Sequence, residues 1–265
     1  MPKIVAICNQ KGGVGKTSTA VSLSSCLALN GKKTLLIDLD PQGNATSGVG
    51  VDKSQVQKSI YHSLLESVPL SEIISETCVS GLSIVPANQD LAGTEVELVG
   101  ELGREGKLRK GLGAVDPAFD VVIIDCPPSF GLLTINALTA AHSVIIPIQC
   151  EYYALEGLGK LVGVMDQLRQ GGINPTLAMC GLLMTMFDIR TNLSAAVMKD
   201  VRDHFQEVVF ETVIPRSIRI SEAPSFTQTV LEYDSKGPGA LAYRALALEF
   251  LARQAQGLSF VGAPQ

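Results

Sequence analysis

The chain has 265 residues, 46 % of them hydrophobic, and a formal net charge of −5. That length and apolar content fit one large α/β domain with a sizeable core, and the negative balance gives no bulk attraction to nucleic acid. No charged-then-apolar leader and no apolar run of membrane-spanning length is present, so the expected setting is cytoplasmic. The six cysteines lack C-x-x-C pairing, and the three histidines lack metal-ligand spacing.

Lys3-Ile-Val-Ala-Ile-Cys8 is an apolar run that predicts a buried strand. Residues 10–18 follow as Gln-Lys-Gly-Gly-Val-Gly-Lys-Thr-Ser. This is a phosphate-binding loop, with Gln10 where the general pattern has glycine. Gly12, Gly13 and Gly15, with Val14 among them, let backbone N–H groups face a polyphosphate. Lys16 is expected to reach the β/γ-phosphates and Thr17 to ligate Mg²⁺, with Ser18 also counted among the nucleotide-binding residues. Lys11 is the unusual residue, because two lysines in a glycine loop repel each other unless an anion lies between them. Residues 17–29 predict a helix stopping near Asn30-Gly31, and its N-terminus adds partial positive charge at the phosphate.

Further strands are expected at residues 34–38, 82–86, 121–125, 143–148 and 177–184, with a helix at 155–170. Leu193, Val197, Val201 and Phe205 have i+4 spacing, so that helix buries one stripe and turns Lys199 and Arg202 away. Leu241, Ala245, Leu248 and Ala252 predict a second stripe. Alternating strands and helices imply a single-domain α/β P-loop NTPase, its mainly parallel, twisted sheet flanked by helices on both faces. The domain is expected to cover residues 1–256, with 257–265 a frayed tail.

Three acids complete the candidate site. Asp125 closes an apolar strand, as a Walker-B aspartate does, and is expected to hold Mg²⁺ directly or through water. Asp38 and Asp40 end the neighbouring strand in Leu-Ile-Asp-Leu-Asp-Pro-Gln-Gly-Asn-Ala-Thr. Ligands of open α/β sheets bind at these carboxyl ends. Asp38 is expected in or near the Mg²⁺ shell.

These residues resemble the ParA/Soj/MinD family of deviant Walker ATPases, and the ParA/Soj branch most of all. The likeness rests on Gln10 to Ser18, on Asp38-Leu-Asp-Pro-Gln-Gly-Asn44 and on Asp125-Cys-Pro-Pro-Ser129. It continues through Gln149-Cys-Glu-Tyr-Tyr-Ala-Leu-Glu-Gly157, Phe187-Asp-Ile-Arg-Thr-Asn-Leu-Ser194 and the Ile214 to Ser225 segment. The resemblance implies an ATP- and Mg²⁺-dependent ATPase that forms a homodimer. Lys11 would cross to the partner's ATP and, with Lys16, act on the transferring phosphoryl group. Asp40 would position the attacking water, and Pro215 and Arg216 would lie against the adenine. Arg190 and Arg219 match DNA-contacting positions, which implies nonspecific binding of double-stranded DNA and nucleoid association. A ParB-type centromere-binding protein (Spo0J) would stimulate turnover, and the outcome would be chromosome or plasmid segregation.

Charge counting alone shows no DNA site, since residues 190–253 hold eight Lys/Arg and eight Asp/Glu. Three rival readings stand beside this one. A MinD-like division ATPase would need a basic amphipathic C-terminal helix, and the sequence after Gly257 is short and uncharged, so no membrane partner is expected. An iron–sulfur carrier would need paired cysteines, for which Cys126 and Cys150 are the candidates. A ParA-type positioner of another cargo would share every motif.

Overall fold

The computed structural model describes residues 2–115, 119–151 and 156–260. Seven strands form one sheet: β1 (Lys3–Ile7), β2 (Thr34–Asp38), β3 (Ser75–Glu76), β4 (Leu82–Val85), β5 (Val121–Asp125), β6 (Ser143–Gln149) and β7 (Ala178–Thr185). They lie in the order β3-β4-β2-β5-β1-β6-β7, and every pairing is parallel except that of β3 with β4. The strands near the middle are apolar on both faces because helices cover both. All five residues of β2 and all five of β5 are buried, their terminal aspartates included.

The helices are α1 (Lys16–Leu29), α2 (Asn44–Gly48), α3 (Ile60–Leu65), α4 (Thr94–Leu98), α5 (Lys107–Leu112) and α6 (Leu132–Ala140). They continue with α7 (Glu156–Gln170), α8 (Asn192–Phe205), α9 (Ile218–Glu222), α10 (Val230–Tyr233) and α11 (Pro238–Ala255). One core layer packs α1, α10 and α11 on the face carrying Val5, Ile7, Leu36 and Ile123. The other packs α3, α5, α6 and α7 on the face carrying Ala6, Leu35, Val122 and Ile124. Alternation along each strand divides its side chains between these layers. The expected strands match to within a residue or two at each end. Residue 155 of the expected 155–170 helix lies outside the described residues.

One expectation is corrected. In α11 the buried stripe runs through Ala240, Tyr243, Ala247 and Phe250, whereas Leu241 and Leu248 are exposed. Bulk decides this: the rings of Tyr243 and Phe250 fill the core layer that α11 shares with α1 and the sheet. Residues 261–265 of the expected tail lie outside the described residues. Phe260 exchanges backbone hydrogen bonds with Met179 at 2.7 and 2.9 Å, adding an antiparallel bridge at β7.

Candidate nucleotide and metal site

The loop between β1 and α1 is shaped by two glycines in left-handed conformation, Gly13 at φ 73° and Gly15 at φ 87°. Any side chain there would be strained, so glycine at these two positions is a backbone requirement. Three contacts outside the glycine run hold the loop. Asn9 Nδ2 donates to the Pro147 carbonyl at 2.7 Å, and Asn9 Oδ1 accepts the Lys11 N–H at 3.0 Å. Thr185 Oγ1, at the end of β7, donates to the Val14 carbonyl at 2.9 Å. Sequence reasoning missed Asn9 and Thr185. Asn9 adjoins the motif, but Thr185 is remote, and only its place at the carboxyl end of a strand hinted at it.

The two lysines of the loop have separate environments. Lys16 is 6 % exposed and its Nζ donates to the Lys11 carbonyl at 2.9 Å. Burial lowers its pKa, while Asp125, Cys126, Cys8 and Asp40 act in the opposite direction. The Lys11 side chain leaves the loop and pairs with Glu151 Oε2 at 3.0 Å, both groups being nearly half exposed.

The acids divide likewise. In the parallel register Asp38 lies beside Asp125. Asp38 Oδ2 accepts from the Thr46 N–H at 2.8 Å and from Thr46 Oγ1 at 2.7 Å, and its Oδ1 accepts the Asp40 N–H at 3.1 Å. Burial pushes its pKa up to about 6 against these hydrogen bonds. Asp38 thus organises the loop that carries Asp40. Asp125 is wholly buried, and neither carboxylate oxygen has a hydrogen-bond partner of good geometry. Burial and the adjacent Asp38 raise its pKa well above the carboxylate range, opposed by Thr17 and Lys16. A buried carboxylate with both oxygens unpartnered fits a cation site. Thr17 and Asp125, with Asp38 behind them, suit Mg²⁺, which takes one or two carboxylates and fills its shell with water and phosphate oxygens. Among the described residues no group of three or more His, Cys, Asp or Glu side chains gathers as a metal cage. Asp40 stands half exposed, and its Oδ1 accepts the Gln42 N–H at 2.9 Å.

Beside the loop lies a cavity of about 320 Å³ lined by Gly15, Ser18, Met186, Pro215, Arg216 and Tyr243. Pro215 forms a parallel bridge with Phe187, and the Arg216 N–H donates to the Phe187 carbonyl at 2.9 Å. A larger cavity of about 540 Å³ lies near Pro2 and His142, toward the opposite ends of the strands. The candidate acids lie instead at the carboxyl ends of the strands, where open α/β sheets bind ligands. The two candidate DNA-contacting arginines sit on the segments that this bridge joins. Arg190 is exposed and forms a two-bonded pair with Asp188, at 2.8 and 2.7 Å. Asp188 has its pKa lowered by that contact. Arg219 Nη1 donates to Glu222 Oε2 at 3.0 Å, and its guanidinium lies 5.8 Å from the Tyr233 ring centre. Residues 152–155 of the expected 149–157 motif lie outside the described residues.

The AAA domain family matches residues 2–179. The sporulation initiation inhibitor protein Soj of Bacillus subtilis (strain 168) is 51 % identical over 252 residues, covering 95 % of this chain and 99 % of that protein. The chain belongs to the ParA/Soj family. The chromosome partitioning protein ParA of Myxococcus xanthus (strain DK1622) is 49 % identical over 251 residues, covering 95 % of this chain and 88 % of that protein. A solved structure described as cobyrinic acid a,c-diamide synthase from Mycobacterium smegmatis, with a bound ATP analog and magnesium, superposes with a TM-score of 0.86. It is 39 % identical and covers 99 % of both chains. The ParA/Soj fold is therefore a P-loop ATPase fold. Among the described residues no helix is long and apolar enough to cross a membrane.

Proposed function

We propose that the protein is a Mg²⁺-dependent ATPase whose nucleotide state controls homodimerisation and sequence-independent DNA binding, in chromosome or plasmid segregation with a ParB-type partner. The observation that carries this reading is the separation of the two lysines. Lys16 is buried in its own loop, while Lys11 extends along the surface to Glu151. One lysine serves the phosphates bound in its own subunit. The other is free to serve phosphates bound elsewhere, as an arginine finger does in other NTPases.

The loop amides and Lys16 would hold the β- and γ-phosphates. Thr17 and Asp125 would hold Mg²⁺, which when bound neutralises charge on the transferred phosphoryl group. Asp40, half exposed at the mouth of the site, would orient the attacking water. Pro215 and Arg216 would pack on the adenine. Lys11 from the opposite subunit would stabilise the developing charge, so loss of the γ-phosphate would dissolve the dimer. Arg190 and Arg219 would contact DNA phosphates, which carry no base sequence. Kinship with proteins named for chromosome partitioning supports the segregation role.

The test is a pair of variants. Lys16→Ala is expected to lose binding of a fluorescent ATP analog. Lys11→Ala is expected to bind it as wild type does, yet to sediment as a monomer and release no phosphate. Normal dimerisation and turnover by Lys11→Ala would sink the reading.

A further inference from the structure

Two buried nucleophiles, Cys8 and Cys126, have no part in that mechanism. Each directly follows the last residue of its strand, and β1 and β5 pair Ile7 with Asp125 in parallel register. The Cys126 N–H donates to the Ile7 carbonyl at 3.3 Å, so the pairing continues past the strand ends. Neighbouring strands lie about 4.8 Å apart, inside the Cα separation that a disulfide spans. The Cys8 S–H donates to Cys126 Sγ at 2.7 Å, and both side chains are 0–1 % exposed. A disulfide needs about 2.05 Å, so the sulfurs are within about 1 Å of bonding distance. All six cysteines are free. Cys78 is the exposed one, and its thiol donates to Glu232 at 3.5 Å.

We propose that Cys8 and Cys126 are a modification site, forming a reversible disulfide with a peroxide as oxidant. Gly12 and Gly13, in the loop that follows Cys8, are exposed. The Cys8 sulfur gives up its proton and attacks one peroxide oxygen. The O–O bond breaks, and the leaving hydroxide takes the proton as water, so Cys8 becomes a sulfenic acid. Cys126 sulfur then displaces hydroxide from it, and the Cys126 proton leaves with that hydroxide as a second water. Two thiols are oxidised by two electrons, and one peroxide is reduced to two waters. The bond would fasten the segment running from Asp125 into α6 to the strand that launches the phosphate loop. Its effect on turnover rests on the ATPase reading; its formation does not.

The test treats the full-length protein with hydrogen peroxide, then alkylates under denaturing conditions and maps peptides without reduction. Alkylatable thiols are expected to fall from six to four, with a linked Cys8–Cys126 peptide that dithiothreitol releases. Cys8→Ser, or Cys8→Ala should the serine misfold, is expected to keep Cys126 alkylatable and to hold its turnover under peroxide. Oxidation confined to Cys78, or Cys8 recovered as a sulfinic acid with Cys126 free, would overturn the proposal. Equal loss of turnover in wild type and Cys8→Ser would overturn the link to hydrolysis. Absence of turnover before any oxidation would count against the ATPase reading and leave the peptide map decisive for the disulfide.

Discussion

Asp38 and Asp125 show how much one residue's environment decides here. Both are buried side by side in register, and both are shifted toward the protonated form. For Asp38 the sign is that of a raised carboxylate. Its favourable contribution to folding is fully present below the unfolded value of 3.8 and is lost as pH rises through about 6. At 1.36 kcal/mol per pH unit the loss is about 3 kcal/mol. Urea unfolding of the ligand-free protein between pH 4 and pH 7 is expected to show a decline that Asp38→Asn flattens. Asp125→Asn removes a buried carboxyl that folding must either protonate or leave charged without a compensating hydrogen bond. It is expected to raise ligand-free stability at pH 7 by about 1–2 kcal/mol while abolishing Mg²⁺-dependent phosphate release. A variant less stable than wild type would show that some unseen partner satisfies Asp125.

At the scale of elements, α11 is the sharpest check on packing. Phe250→Ala is expected to cost about 3–5 kcal/mol, because a wholly buried ring leaves a cavity between α1 and the sheet. Leu248→Ser, on the exposed face, is expected to stay within about 0.5 kcal/mol. Thermal or urea unfolding of both variants would decide between the observed stripe and the one the spacing suggested. The spacing misled because alanine is common on both faces of α11, and small residues leave the period unmarked. In β2 and β5, by contrast, unbroken apolar runs ending on aspartate had one reading. The glycine loop was equally legible, since left-handed backbone at Gly13 and Gly15 leaves a mark on the sequence. The two-residue strand β3 was invisible because so short a pairing has no period. Thr185 was hidden for another reason: its bond to Val14 spans 171 positions, and no local pattern reports a contact of that range.

For the whole molecule, the net charge of −5 opposes approach to DNA, so any binding must come from local arrangement. Arg190 is held by Asp188 in a fixed, outward posture, and the Phe187–Pro215 bridge ties its segment to the one bearing Arg219. Plasmid DNA binding in the presence of ATP is expected to weaken steeply with added salt. Arg190→Glu is expected to weaken it by about tenfold or more at low salt, as loss of phosphate contacts does. Undiminished binding by that variant in a filter or mobility assay would remove Arg190 from the interface. The contact between Lys11 and Glu151 bears on the whole assembly too. It makes any engagement of Lys11 elsewhere an exchange of one anion for another. A pair this exposed is worth about 0–1 kcal/mol. Leaving Glu151 is therefore nearly free, and returning to it is nearly free as well. On the proposed reading, such a side chain would be a ratchet pawl without a spring: it would follow whichever anion is nearer, and the fate of the nucleotide would set its direction of travel.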